Sequence, residues 1–442
     1  MKNLILLSAV WLLCSFSSFA QHSLLQSGPM VGHVDFREAI LWVQTKSRAK
    51  VQFAYWEERK ESEKDSTKVY VTKKESGFTA KLIANKVQPG KQYFYQVIIN
   101  DQAVKLPYPA KFKTPVLWHD SGTPPNFTIA FGSCAFINDS IYDDKPKGYG
   151  GDYQVFTSIS KVEPDIMFWM GDNMYLREAD WNTETGIYYR YTHTRSLPEM
   201  QPLLAATQNY AVWDDHDFGP NDSDRSFVHK DKTLKAFQDF WGNPSFGIPG
   251  VGGTTTMFTM GDVDFFLLDN RYFRSPQKRK TGEPTILGKE QLEWLIDALA
   301  FSEATFKMVL IGNLFLSTST HYKNQNYISN FAEERTYILK RIEDEDLKNV
   351  IFLTGDKHFS ELSMLTNARR NVVYDFTASP LTSKANTRED ANTLRVPGTL
   401  VQERNFGLIE VSGSLEKRQL TMKVINADGK EMWEKIIVRQ PD

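Results

Sequence analysis

The sequence predicts a β-sandwich followed by an α/β domain of layered β-sheets flanked by helices, and three observations lead there. Before about residue 115 the apolar pattern is that of short strands separated by polar turns. After Asn126 it changes to nearly continuous apolar runs, each followed by a polar loop and then helix-like sequence. Between the two regimes, Ser121-Gly122-Thr123-Pro124-Pro125 has the composition of a linker. A chain of 442 residues with 41% hydrophobic content is long enough for two or three globular domains with sizeable cores.

Residues 1–20 read as a Sec-type signal peptide, with Lys2, an apolar run from Leu4 to Leu13, and Ser18-Phe19-Ala20 before Gln21. The run falls short of the ~20 apolar residues that cross a bilayer, and no later stretch is comparably apolar. The expected destination is therefore periplasmic or secreted, without a transmembrane segment. Beyond residue 20 only one cysteine remains, Cys134, so an intramolecular disulfide is impossible. A lone thiol in an exported chain is either buried as a small hydrophobe or used as a ligand or nucleophile.

In the first module, residues 22–115, the strand-like runs are Ala39 to Gln44, Val51 to Trp56, Lys68 to Thr72, Thr79 to Ile83 and Gln92 to Ile99. Leu82, Val87, Pro89-Gly90, Tyr93, Tyr95 and Val97 together resemble the fibronectin type III pattern that ends in a tyrosine corner. In the second, residues 126–442, the core runs are Phe127 to Phe131, Ile166 to Met170, Tyr210 to Trp213, Phe265 to Leu268, Lys307 to Ile311 and Val350 to Leu353. A covering helix starts at Gly288, with Leu292, Leu295, Ile296 and Leu299 at helical spacing.

A net charge of −2 with interleaved signs gives no field for drawing in nucleic acid. The densest basic stretch, Arg271 to Lys280, reads as a solvated loop or as a substrate rim.

Five of the six core runs end in residues able to hold a metal or contact an anion. These endings are Gly132-Ser133-Cys134, Gly171-Asp172-Asn173-Met174-Tyr175, Asp214-Asp215-His216-Asp217, Gly312-Asn313 and Gly355-Asp356-Lys357-His358. Ligands in α/β sheets bind beyond the carboxyl ends of strands, so these residues are expected to converge. Asp214, Asp215 and Asp217 raise one another's pKa unless a cation compensates, and Asp172 and Asp356 add to the same charge. Oxygen donors suit calcium, magnesium or manganese, whereas a thiolate, a phenolate and a histidine suit iron or zinc. A mixed metal site equipped to hydrolyse phosphate esters is the economical reading. Competing chemistries fail on spacing: Ser133 precedes Cys134 where a cysteine phosphatase has His, and no Gly-x-Ser-x-Gly elbow or complete P-loop occurs.

The strand-end motifs resemble a variant of the calcineurin-like metallophosphoesterase set, the combination characteristic of PhoD-family alkaline phosphatases. Tyr175 stands where the wider set has a second Asp, and Trp213-Asp214-Asp215-His216-Asp217 stands for its third motif. The resemblance implies an iron ion (Fe3+) among Cys134, Asp172, Tyr175 and His358 or Asp356, with Asp172 bridging to calcium; zinc, manganese or magnesium are the alternatives. It implies Asp215 and Asn313 on the second metal, Asp215 and His216 as the catalytic pair, with His216 protonating the leaving group, and Asn221 and Arg271 as phosphate contacts. The sequence departs from the family in lacking a twin arginine, in Gly219-Pro220-Asn221-Asp222 after the Asp-Asp-His motif, and in Glu361.

The function expected is hydrolysis of small phosphate esters, monoesters first and diesters second, by attack of a metal-bound hydroxide. The alternatives are a phosphodiesterase of phospholipase D-like activity on the same site, and an inactive calcium-loaded surface binding protein. The sequence leaves the oligomeric state open.

Overall fold

The computed structural model describes residues 23–143, 148–320, 327–388 and 391–441; the expected signal peptide, residues 1–20, lies outside the described residues. The N-terminal region contributes β1 (Leu25–Val34), β2 (Ala39–Thr45), β3 (Lys50–Glu57), β4 (Asp65–Ser66), β5 (Tyr70–Val71), β6 (Thr79–Ala84), β7 (Gln92–Ile99), β8 (Gln102–Ala103) and β9 (Lys111–Lys113). The first half of the larger region holds β10 (Phe127–Gly132), α1 (Gln154–Lys161), β11 (Ile166–Met170), α2 (Glu184–Arg195), α3 (Gln201–Ala206), β12 (Gln208–Val212), α4 (Asp215–Phe218) and α5 (Lys230–Phe240). Its second half holds β13 (Thr256–Met260), β14 (Val263–Leu267), α6 (Lys289–Phe301), β15 (Phe306–Leu310), α7 (Tyr327–Asn330), α8 (Ala332–Asp344) and β16 (Val350–Thr354). The chain ends in β17 (Glu361–Thr366), β18 (Val372–Thr377), β19 (Asn405–Ser412), β20 (Gln419–Asn426) and β21 (Glu431–Val438).

Two sheets face each other at the centre. One has nine strands in the order β21-β20-β19-β10-β11-β12-β1-β2-β6, the other six in the order β13-β14-β15-β16-β18-β17. Phe131, Phe168 and Met170 from the first pack against Phe265, Leu310 and Leu353 from the second in one apolar layer. The outer faces are covered by helices: Val155, Phe156, Leu203 and Phe237 close the first sheet, and Leu295, Leu299, Ile338 and Ile342 the second. Coverage on both sides explains why β11, Ile-Met-Phe-Trp-Met, has no exposed position. Strands β10, β11 and β12 run parallel, as do β14, β15, β16 and β18, which sends the loops after them to the same ends of their sheets.

The N-terminal strands form a sandwich whose core includes Leu41, Val43, Phe53, Tyr95 and Val97. One of its sheets is the smaller third sheet around β3 and β7; the other is the β1-β2-β6 edge of the nine-stranded sheet itself. Strand β1 makes the join, pairing antiparallel with β2 and parallel with β12 through Val31 and Gln208. The two regions that the sequence separates at residues 121–125 thus share a continuous hydrogen-bonded sheet. Contact here is close enough to require glycine, since a Cβ on Gly32 would lie 2.7 Å from the Gly242 carbonyl oxygen. The Tyr93 hydroxyl accepts a 2.9 Å bond from the Gln88 amide, five residues upstream.

Candidate metal centre

The loops following β10, β11, β12, β14, β15 and β16 meet at one end of the paired sheets. Four residues in them, Cys134, Asp172, Asp356 and His358, hold positive φ angles of 62°, 50°, 73° and 57°. Non-glycine residues rarely adopt this conformation, and its concentration at one place is the kind of local strain that marks functional sites. A Cβ on Gly312 would lie 2.9 Å from the Asp214 carboxyl carbon, so the β15 loop approaches the acidic cluster only because residue 312 lacks one.

The gathered side chains fall into two adjoining groups. In one, Cys134 Sγ lies 3.7 Å from Asp172 Oδ2, and Tyr175 Oη lies 3.5 Å from His358 Nε2. In the other, ligand atoms of Asp172, Asp215 and His216 lie within 4.8 Å of one another, as do those of Asp214, Asp215 and Asp356. Asp172 belongs to both. The His216 ring lies over Tyr175 with centroids 4.2 Å apart, and the His216 amide donates to Asp172 Oδ1. Asn313 Oδ1 accepts from Asn270 Nδ2 at 3.0 Å, and the same amide donates to Asp214 Oδ1 at 2.7 Å.

Asp172, Asp214, Asp215 and Asp356 are each no more than 5% exposed. Burial, then the charges of Asp215, Asp214 and Asp356, pushes the Asp172 carboxyl well above the usual carboxylate range. Asp356 is pushed up in the same direction, by burial first and by Asp214 and Asp215 against the opposing Lys357. Burial also opposes the charge of Asp215, but Arg271 and His216 hold its carboxyl below the usual range. Burial, with Asp172 and Asp356 beside it, pushes the Cys134 thiol up, and burial depresses His358 to about 4. Asp214 Oδ2 and Asp215 Oδ1 accept no hydrogen bond among the described residues. Buried carboxylate oxygens without donors, collected around a thiol and a phenol, fit a cluster of cations that supplies the missing positive charge.

Not every acidic residue of the sequence cluster belongs to this site. The Asp217 carboxylate turns back to accept from the backbone amides of Asn173 and Asp214, closing a capping box at the start of α4, and burial pushes it up to about 8. Its task is to tie the β11 and β12 loops together. Arg271 is fully buried, with its guanidinium paired to Asp214 and its Nη2 3.6 Å from Asp215. Arg274 is likewise fully buried, so the basic stretch divides into a buried half and an exposed one, Lys278 to Lys280. Of the two readings the sequence left open, a solvated loop or a substrate rim, the solvated loop fits only the second half. Asn221 is exposed and its amide donates to Asp222, whose own amide in turn caps Asp215 Oδ2 at 2.6 Å; the Asn221 side chain is not among the gathered groups. Glu361 is fully buried and holds Asn392 and Arg395, which orders the segment covering β17.

Sequence reasoning left out Asn270 and Tyr149. Asn270 was within reach, because the sixth core run, Phe265 to Leu268, also ends in polar residues, Asp269-Asn270-Arg271. Tyr149 offered no such signal. Its hydroxyl lies 3.1 Å from His358 Nδ1, whose N–H donates to the Lys384 carbonyl at 2.9 Å.

Residues 129–408 match the family described as PhoD-like phosphatase, and residues 22–117 match a domain of unknown function, DUF7800. Alkaline phosphatase D of Bacillus subtilis strain 168 is 25% identical over 330 residues. That match takes in 64% of this chain and 53% of the relative, about half of its length. A solved structure of PhoD superposes with a TM-score of 0.74 at 18% identity, covering 94% of this chain and 89% of the other. A purple acid phosphatase from yellow lupin seeds superposes with a TM-score of 0.69 at 12% identity, covering 93% and 75%. Both share this fold of layered sheets.

Proposed function

The chain belongs to the PhoD-like phosphatase family, and from that premise we propose that it is an exported, metal-dependent phosphatase acting on small phosphate esters, monoesters first and diesters second. The observation that carries the reading is the convergence of Asp172, Asp214, Asp215 and Asp356, all nearly inaccessible, with ligand atoms in sets no more than 4.8 Å across. Cys134, Asp172, Tyr175 and His358 would hold a transition metal, iron in this reading, and Asp172, Asp215, Asn313 and Asp356 would hold calcium beside it. A bound cation cluster supplies Lewis acidity and a nucleophile from water at neutral pH.

The protein's own residues supply the rest. His216, held by its backbone to Asp172 and by its ring against Tyr175, is placed to give a proton to the leaving oxygen. Burial lowers its pKa, and the Asp215 and Asp214 carboxylates beside it oppose that and favour a proton on the ring. Arg271, fixed to Asp214, holds the nearby Asp215 carboxyl in its charged form and presents positive charge toward the phosphate. Asn221 lies at the rim, one residue from the amide that caps Asp215. The N-terminal sandwich, residues 22–115, braces this site through β1. Residues 1–20 act as the signal for export to the periplasm or the medium; among the described residues no helix is long and apolar enough to cross a membrane.

Metal analysis of dialysed protein, with aryl phosphate monoester and diester assays side by side, tests the reading. Iron with calcium and faster monoester cleavage is expected. A strong preference for the diester would replace the proposed substrate class, and protein that retains no metal and cleaves neither ester would remove the enzyme reading altogether.

A further inference from the structure

We propose that Ser379 and Ser383 are positioning residues whose hydroxyls donate hydrogen bonds to Cys134 Sγ and Tyr175 Oη and so set how firmly those two atoms hold a transition-metal ion. The proposal rests on the reading of Cys134 and Tyr175 as metal ligands. Both serines lie in the segment that follows β18, a strand with no part in the sequence motifs.

That segment is laced to the cysteine loop through the backbone. The Ser133 amide donates to Ala378, Leu381 donates to the Ser133 carbonyl at 2.8 Å, and the Thr382 and Ser383 amides both donate to the Cys134 carbonyl. The lacing carries the Ser379 hydroxyl to 3.4 Å from Cys134 Sγ and the Ser383 hydroxyl to 3.0 Å from Tyr175 Oη. Ser379 Oγ also accepts from the His358 amide at 3.1 Å, so one side chain fastens the loops of two ligand residues.

The direction of these bonds follows from the atoms involved. Ser379 Oγ receives the His358 N–H, and its own proton has Cys134 Sγ as its side-chain acceptor. Ser133 differs: its hydroxyl lies 3.4 Å from the same sulfur but equally 3.4 Å from the Ala378 carbonyl oxygen. Once Tyr175 binds a cation it keeps no proton, and Ser383 is then the donor of that pair. Both serines are fully buried, where a hydroxyl without a partner is costly and an alanine would fill nearly the same space. Hydroxyls in these two places are therefore accounted for by the sulfur and the phenol they face. Hydrogen bonds to metal-binding atoms fix their orientation and draw off charge, and losing one typically weakens metal binding by about 10- to 100-fold.

The test uses the full-length protein loaded with cobalt(II) or with ferric iron, read by absorption and by metal loss to a competing chelator. Ser379→Ala is expected to move the sulfur-to-cobalt band to longer wavelength and to weaken cobalt retention about 10-fold or more. Ser379→Thr, which keeps the hydroxyl, should stay with wild type, and Ser383→Ala should move the phenolate-to-iron band in the same direction. Ser383→Ala removes only the Tyr175 contact, so it carries the test alone if Ser379→Ala fails to fold by circular dichroism. Bands and retention identical to wild type in both alanine variants would overturn the proposal and leave the metal centre standing. Wild-type protein that develops neither band would overturn the ligand roles of Cys134 and Tyr175 and this proposal with them.

Discussion

Arg271 and Asp214 form an ion pair in which the side chains are 0% and 1% exposed, inside the acidic cluster rather than at its rim. Removing one partner of a buried pair typically costs about 3–5 kcal/mol because the other charge is left uncompensated. Arg271→Ala should therefore destabilise the metal-free protein by roughly that amount. Calcium on the neighbouring Asp215, Asp172 and Asp356 would replace part of the lost positive charge, so the penalty should shrink when the metal is present. Urea unfolding of wild type and variant, in chelator and in calcium, reads both numbers. Equal penalties in the two conditions would mean that Arg271 and the metal do not neutralise the same groups.

Cys134→Ala should leave the fold intact and empty the transition-metal position. The thiol is wholly inaccessible, and alanine keeps the Cβ, so no new backbone strain is added at a residue already at φ 62°. Metal analysis should find transition metal at background with the circular dichroism of wild type, and phosphatase activity should fall with it. Wild-type activity in this variant would rule out the ligand role.

His216→Ala is expected to lower kcat by about 10²- to 10⁴-fold while the metals stay bound, the usual range for a lost general acid. The loss should be smaller for a nitrophenyl ester, whose leaving group needs little protonation, than for an alkyl ester. The geometry leaves a competing role to exclude, because a His216 nitrogen also lies within 4.8 Å of the Asp172 and Asp215 oxygens. Metal loss in the variant would assign His216 to coordination instead.

The core strands were legible because strands covered on both faces must be apolar throughout. Ile166 to Met170 has the bounds read from sequence, and the other core runs shift by one or two residues at most at either end; Gln92 to Ile99 also has its predicted bounds, but it was legible by its alternation, with every second residue buried. Strand β1 was not legible: Gly28-Pro29, two glycines and several polar residues in Leu25–Val34 hide a segment that is buried because it joins two units. The C-terminal strands β19 to β21 form one flank of the sheet, and β21 alternates between covered and exposed positions instead of forming a continuous apolar run. At the site, strand-end position located most of the acidic residues but not their orientation. Asp215 and Asp217 are two residues apart, yet one faces the cluster and the other faces backbone amides, a difference set by the first turn of α4. Ser379 and Ser383 carried no signal, since serines in a loop are common and β18 was unread.

Acid should weaken the fold partly through His33, which is not among the groups gathered at the proposed site. Its Nδ1 lies 3.0 Å from the Tyr210 hydroxyl, and its ring packs edge-on against Tyr210 and Phe258. Burial lowers its pKa, with Asp35 opposing. In the unfolded chain a histidine titrates near pH ~6.5, so below that value the unfolded state takes up a proton that the folded state refuses. The unfolded state then binds more protons, and the stability tied to neutral His33 is present above pH ~6.5 and lost as pH falls toward the depressed folded value. Buried carboxyls whose pKa is raised by burial, such as Asp165 and Asp375, contribute with the opposite sign, gaining as pH falls. Their contribution is common to wild type and His33→Gln and cancels in the difference between them. The unfolding free energy of wild type minus that of His33→Gln should therefore decrease from pH 7.5 to pH 5, measured by urea titration in chelator. Parallel pH profiles for the two proteins would show that His33 takes its proton as readily in the fold as in the unfolded chain.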